Sequence, residues 1–259
     1  VYNAAGGYLS ICSGVKGYNV TITNGAQSGL AAVAYAKNII EQGQEDVVLA
    51  SGSDENIEII SELYNKLGYV ATSPTKPYEN AKGFTLADGS TTIVCESETS
   101  ANARGAKKYA YVAGYGMTHK NVKFGTLEGS SEALDAAIKE ALDDAGVSLN
   151  DVDAICGFAN GNHIIDNEEL SSYRRVFGDS LESKPIVNVR RYTGEGRAAS
   201  AALSCAHAAL MLGGDIPSSK AYLVSSDIKE TEIESSKLQT ILVTAYGSGG
   251  SYCAVVLKK

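Results

Sequence analysis

The feature that most limits what this chain can fold into is the order of patterns between residues 18 and 54. Tyr18-Asn19-Val20-Thr21-Ile22-Thr23 alternates and is β-branched, as a strand is. Asn24-Gly25-Ala26-Gln27-Ser28-Gly29 is rich in turn formers, and over 30–41 alanine, leucine and isoleucine recur at helical spacing until Gly43. Asp46-Val47-Val48-Leu49-Ala50 is a short apolar run of the buried parallel-strand type, ending in Ser51-Gly52-Ser53-Asp54. Strand, tight turn, helix and strand make a βαβ unit, and the strand-to-helix turn is where α/β proteins place chemistry.

The alternation continues. A helical pattern covers 56–68, followed by the proline-punctuated loop Ser73-Pro74-Thr75-Lys76-Pro77-Tyr78. Residues 83–86 and 91–96 read as strands joined through Ala87-Asp88-Gly89. Arg104, Lys107 and Lys108 form a short basic patch that reads as a solvated turn before a strand at 109–116. An amphipathic helix is expected at 130–145, with Ala133, Ala137, Ile138, Ala141 and Leu142 on one face. Strands at 152–158 and 185–189, helices at 168–177 and 196–212, and two closing strands at 239–246 and 251–257 complete the pattern. Such alternation predicts a layered α/β fold with a largely parallel sheet. Residues 109–259 carry one complete βαβαβαββ series, and residues 1–108 read as the back end of another whose opening strands are absent.

Composition removes several classes of function. Thirty acids against 22 bases give a net charge of −8, which disfavours a nucleic-acid backbone as partner. No apolar run reaches the ~18 residues of a membrane span, and Val1-Tyr2-Asn3 lacks the layout of a secretory signal. The five cysteines, Cys12, Cys95, Cys156, Cys205 and Cys253, are dispersed without a C-x-x-C, most of them in apolar runs as buried reduced thiols are. With three histidines and no clustered ligand set, no metal site is expected. A cytoplasmic protein is the expectation.

Several stretches together carry a family resemblance. Val20-Thr21-Ile22-Thr23-Asn24-Gly25-Ala26-Gln27-Ser28-Gly29-Leu30 resembles the nucleophile elbow of the β-ketoacyl synthases, condensing enzymes of the thiolase superfamily. Pro77-Tyr78 followed by Gly83-Phe84-Thr85-Leu86-Ala87-Asp88-Gly89 is similar to that family's Gly-Phe-x-x-Gly-Glu-Gly. Phe158-Ala159-Asn160-Gly161-Asn162 stands where the family has Ala-His-Gly-Thr. Asn188-Val189-Arg190-Arg191-Tyr192-Thr193-Gly194-Glu195 stands where it has a lysine and then Thr-Gly-His. Tyr246-Gly247-Ser248-Gly249-Gly250 is similar to its terminal Phe-Gly-Phe-Gly-Gly turn. Each match alone is weak, but the five follow in the family's order along essentially the whole chain. The fold this implies is the five-layered αβαβα thiolase-like arrangement, with the second half complete and the first lacking its opening strands.

The departures point to function. Where the family has its acyl-accepting cysteine this chain has Ala26, and a methyl group cannot attack a thioester. Asn160 stands for the first histidine; it donates hydrogen bonds but cannot do imidazole proton chemistry. Glu195 stands for the second, and a carboxylate would oppose an oxyanion. Arg190 takes the place of the lysine, and Ser248 that of the phenylalanine gating the pocket. Gln27 neighbours the vacant cysteine position; chain length factors carry a glutamine at that position itself, one residue earlier. Arg190 and Glu195 either pair, each neutralising a charge that would be costly alone, or Glu195 pairs with Arg191 or Arg197 on a loop surface.

The resemblance therefore implies a chain length factor, a non-catalytic ketosynthase-like subunit. Such a subunit pairs with an active β-ketoacyl synthase and helps shape the tunnel in which a polyketide or polyene grows. No cofactor of its own is implied: the phosphopantetheine of an acyl carrier protein would reach the partner subunit, and an acidic carrier would dock mainly there. Tyr18, Asn19, Val20, Thr21, Ile22 and Thr23 would pair across the dimer axis, and an N-terminal fragment or separate chain would complete the fold. The alternative is a thiolase-fold enzyme with a relocated site, for which Cys156 with His163 is the least implausible pair, or a degenerate paralogue with another role. His207, on an alanine-rich helix, reads as a satisfied interior or flank residue.

Overall fold

The computed structural model describes residues 3–123 and 127–259; Val1 and Tyr2 of the N-terminal Val1-Tyr2-Asn3 lie outside the described residues. In chain order the elements are α1 (Ala4–Ser13), α2 (Ser28–Glu41), β1 (Val47–Asp54), α3 (Glu58–Lys66), β2 (Gly89–Glu96) and α4 (Glu98–Ala103). Then follow β3 (Tyr111–His119), α5 (Ser131–Ala145), β4 (Ala154–Cys156), α6 (His163–Phe177), β5 (Ile186–Val187) and α7 (Arg190–Thr193). The chain closes with α8 (Ala198–Leu212), β6 (Ser218–Val224), β7 (Ile228–Glu234), β8 (Thr240–Gly247) and β9 (Ser251–Lys258).

The helices form where apolar spacing and caps agree. The α5 stripe of Ala133, Leu134, Ala137, Ile138, Ala141 and Leu142 is buried, and Gly146 ends the helix in the left-handed region at φ 60°. Asn162 caps α6, its side chain accepting from the Ile164 amide. Alanine dominates α8 because this helix is sandwiched: with α2 it lies between the two-stranded sheet and the seven-stranded one. There Leu30, Val33 and Met211 are fully buried against Ala50 on one side and Val243 and Val255 on the other. Two glycines make the approach possible. A Cβ on Gly29 would sit 2.0 Å, and one on Gly52 2.2 Å, from the Ala198 carbonyl oxygen. The opposite face of the large sheet is covered by α5 and α6, whose Leu134, Ile138 and Tyr173 pack on Leu242, Tyr252 and Val256.

Four expectations are corrected. The sheet is mixed: its order is β3-β9-β8-β4-β5-β6-β7, and only β4 with β5 and β4 with β8 run parallel. Residues 18–23 form no strand and have no ladder partner among the described residues; alternation favours a strand only where a neighbour exists to bond it. Residues 83–86 make isolated bridges, Phe84 beside Val70 and Leu86 beside Glu195. The hairpin of β6 and β7 was not expected from the sequence. β7 is a charged edge strand, with Lys229, Glu230, Glu232 and Glu234 on it. The basic patch is a solvated turn in which Arg104, Lys107 and Lys108 pair with Glu96, Asp215 and Glu98.

Candidate functional site

Ala26 lies in a single 3-10 turn, Gly25–Gln27, leading directly into α2. The turn is tied by Ser28, whose hydroxyl donates to the Gly25 carbonyl at 2.7 Å and accepts from the Asn24 amide at 2.8 Å. Gly25 adopts φ 68°, and a Cβ there would lie 3.2 Å from Gly247 Cα and 3.6 Å from the Ser248 amide. The turn joining β8 to β9 thus abuts the elbow, with Ser248 exposed at its tip. Ala26 is buried in one cluster with Phe84, Phe158 and Tyr246. Gln27 is 1% exposed, and its side-chain oxygen accepts no hydrogen bond among the described residues.

Behind the elbow sits a buried polar network. Glu195 Oε2 accepts from Arg190 Nε at 3.0 Å and from Asn160 Nδ2 at 3.0 Å, while its Oε1 accepts from the Arg197 amide at 2.8 Å. Arg190, Glu195 and Asn160 are all buried. Asn160 Nδ2 also lies 3.5 Å from the Tyr246 hydroxyl, and Arg190 Nη1 lies 3.5 Å from Ser204 Oγ. Asn188 braces the pair, accepting from the Arg190 amide at 2.8 Å and donating to the Ala159 carbonyl at 2.7 Å. The surface alternatives for Glu195 fail because Arg191 pairs with Glu230 and the Arg197 guanidinium with Asp54. Burying two charges is tolerable here because they lie in contact and bond further groups.

A second layer fixes the Asn160 loop, and sequence reasoning missed it. Asp166 Oδ1 accepts from the Asn160 and Gly161 amides at 2.8 and 3.2 Å, and its Oδ2 accepts from the Tyr78 amide. Glu169 takes the Phe158 and Ala159 amides and the hydroxyls of Tyr78 and Tyr173. The available signal was two acids three residues apart on one helix, one face by spacing, directly after the Asn160 loop. Burial pushes the Asp166 carboxyl up to about 7, against its amide donors and with neighbouring Glu169 adding to the rise; burial also raises Glu169. A carboxyl whose folded pKa exceeds its unfolded one, ~3.9, binds more protons when folded. Its contribution to stability is therefore largest at low pH, falls as pH climbs from about 4 to about 7, and is flat above. Each tenfold difference in proton affinity between the folded and unfolded chains removes about 1.4 kcal/mol over that climb. Unfolding free energies followed across that range check this, with Asp166→Asn expected to flatten the profile.

The relocated pair is not assembled. Cys156 is buried on β4, where burial pushes its thiol up to about 12. His163 Nδ1 lies 3.0 Å from the Ala81 carbonyl. No hydrogen bond joins Cys156 and His163 among the described residues. His207 lies 3.1 Å from the Ser219 hydroxyl, and burial lowers its pKa. Cys95, Cys205 and Cys253 are buried and raised as well, whereas Cys12 is exposed on α1. In the native protein iodoacetamide will therefore modify Cys12 and leave the others unlabelled until denaturation, as read by peptide mass spectrometry. Rapid selective labelling of Cys156 would instead reveal a thiol nucleophile. Among the described residues no group of three or more His, Cys, Asp or Glu side chains is placed to hold a metal ion, and no helix is long and apolar enough to cross a membrane.

The N-terminal domain of β-ketoacyl synthase matches residues 1–101 and its C-terminal domain residues 109–219. The 3-oxoacyl-[acyl-carrier-protein] synthase 1 of Haemophilus influenzae is 26% identical over 261 residues, covering 95% of this chain and 62% of its own length. The tetracenomycin ketoacyl synthase alpha subunit of Streptomyces glaucescens is 26% identical over 261 residues, again covering 95% of this chain and 61% of that protein. The chain thus spans about three fifths of these relatives. Among solved structures, the ishigamide ketosynthase/chain length factor superposes with a TM-score of 0.79 at 22% identity, over 93% of this chain and 60% of that one. The type II ketosynthase complex AntDE:AntF superposes with 0.86 at 22% identity, over all of this chain and 67% of that one. At such identity these two show the fold alone. With both domains matched along most of its length, on a thiolase-like fold, this chain belongs to the β-ketoacyl synthase family.

Proposed function

We propose that this chain is a non-catalytic ketosynthase-like subunit, a chain length factor. It pairs with an active β-ketoacyl synthase and helps shape the acyl tunnel in type II polyketide or polyene synthesis. The observation carrying this reading is the elbow itself: the buried turn that should present a nucleophile presents the Ala26 methyl. The groups behind it, Asn160, Arg190 and Glu195, are buried and bond one another through Glu195 Oε2, while Arg190 Nη2 has no partner among the described residues. An ion pair at the second histidine position offers no neutral imidazole for proton transfer.

On this reading residues 1–108 are the C-terminal part of the first thiolase-like half and 109–259 the second half. Gln27 and Ser248, on either side of the elbow, line the tunnel end. The active subunit approaches the face carrying Tyr18 to Thr23, whose exposed Tyr18 and Val20 leave it open to a partner. With a net charge of −8, this chain repels an acidic carrier protein at long range, so the carrier docks mainly on the active subunit and its phosphopantetheine is used there. The cytoplasm, where such synthases work, is its expected place.

Coexpression with an active ketosynthase and a carrier protein tests the reading. The two subunits should copurify, replacing the ketosynthase cysteine with alanine should abolish product, and Gln27 substitutions should change product length with condensation retained. Acyl transfer onto the isolated chain would overturn it.

A further inference from the structure

Residues 75–85 form a loop whose ends are clasped: the Thr75 amide donates to Thr85 Oγ1 at 3.1 Å and the Thr85 amide to Thr75 Oγ1 at 3.2 Å. Two of its residues, Tyr78 and Asn80, hold φ of 66° and 59°, a left-handed conformation uncommon outside glycine. Such backbone persists only where surrounding contacts hold it. Most of those contacts come from the Asn160 loop and α6. Asp166 Oδ2 accepts from the Tyr78 amide, and Glu169 Oε2 from the Tyr78 hydroxyl at 2.7 Å. The Ala81 amide donates to the Gly161 carbonyl at 2.9 Å, the Ala81 carbonyl accepts from the His163 amide at 2.8 Å, and Asn162 Nδ2 donates to the Lys82 carbonyl. The fit is close: a Cβ on Gly161 would lie 2.7 Å from the Lys76 carbonyl oxygen.

The two carboxyls that take Tyr78 are neighbours, 3% and 0% exposed, and among the described residues neither is in ion-pair contact with a lysine, arginine or histidine. Facing them are Tyr78 from the loop, Tyr173 on α6, Tyr246 from β8 and the amides of the Asn160 loop. His163 Nδ1 lies 3.0 Å from the Ala81 carbonyl, and Lys76, Glu79 and Lys82 are exposed on the loop itself. Ionisation of Asp166 therefore puts an uncompensated charge under the loop, and lifting Tyr78 brings water to it. We infer that residues 76–82 are a strap that lifts from the Asn160 loop when Asp166 gives up its proton, with the Thr75–Thr85 clasp as its hinge. Relief of the Tyr78 and Asn80 backbone conformations favours the lifted state at any pH, so the strap is poised for release. Once it lifts, Gly161, Asn162 and His163 lose their bonds to Ala81 and Lys82, which frees the loop that presents Asn160 to Glu195. With the strap closed, Asp166 keeps its proton up to about 7, whereas in water an aspartic acid lets go near ~3.9. Closure is favoured at low pH, opening grows by up to about tenfold per pH unit between about 4 and about 7, and it changes no further above that. Whether the chain condenses acyl groups does not enter the argument.

The test is amide hydrogen exchange on the 259-residue chain across this pH range, read as protection factors so that the intrinsic pH dependence of exchange drops out. The Tyr78 and Ala81 amides should be less protected than those of β8 and β9 by about tenfold or more, because the strap opens without global unfolding. Their protection should fall by up to about tenfold per pH unit and level off above about pH 7. Asp166→Asn, which carries no titrating proton, should remove the slope. Tyr78→Phe, which leaves both carboxyls in place, should lower the protection of Ala81 at every pH and keep the slope. The wild-type profile and its plateau need no variant to be read. Strap amides as protected as those of β8 and β9 would overturn the inference, as would wild-type protection that does not change with pH. A slope that survives Asp166→Asn would overturn it too, by assigning the titration to His163 or Glu79.

Discussion

Given acyl- and malonyl-loaded carrier protein, the purified chain will form no carbon–carbon bond, and Ala26→Cys alone will not change this. A condensing site acts as a unit, and in such units loss of the nucleophile costs on the order of 10⁶-fold while single restorations recover little. The structure gives the specific reason. A thiol at position 26 would find no imidazole, because Asn160 and Arg190 both bond Glu195 Oε2. Adding Asn160→His and Glu195→His would strip Arg190 of its carboxylate and leave a buried guanidinium facing an imidazole. Activity should return only when Arg190→Lys is included as well. Mass spectrometry of acyl-enzyme formation across this series is the measurement. Acyl transfer by Ala26→Cys alone at a rate near that of an active synthase would show that the network is not the obstacle.

The second large effect concerns that ion pair. Glu195→Leu, or Arg190→Met, should each destabilise the chain by about 3–5 kcal/mol, because each leaves the opposite charge buried without a partner. For a chain of this size that is a fall in Tm of roughly 6–20 °C. Combining the two changes should recover much of the loss, since apolar replacement of both partners removes the desolvation penalty along with the attraction. A double-mutant cycle on thermal melts reads the coupling directly. Additive losses would mean that Arg190 and Glu195 act separately, Arg190 through Ser204 and Glu195 through Asn160 and the Arg197 amide.

The sequence by itself determined the elements whose signal is local. Apolar periodicity placed α2, α5 and α8 to within a residue or two, and the apolar runs placed β8 and β9, because burying one helix face or both strand faces writes a short-range pattern; β1, read as a buried parallel strand, pairs antiparallel with β2 and is mostly unburied. It also singled out Ala26, Asn160, Arg190 and Glu195, of which the last three meet in one buried network. What it could not decide were matters of partnership. Residues 18–23 carry strand periodicity and are not a strand, since a strand exists only through a neighbour. β7, by contrast, is an edge strand whose charges hide it. The direction of the sheet depended on the added β6–β7 hairpin and on β9 returning between β3 and β8. The choice of Arg190 over Arg191 and Arg197 as the partner of Glu195 was tertiary too. Burial and Asn188 hold Arg190 inward, whereas Glu230 and Asp54 draw the other two guanidinium groups away. Asp166 and Glu169, which the sequence did not single out, are buried by the fold under backbone amides of the neighbouring Asn160 loop and, for Asp166, that of Tyr78 from a distant part of the chain.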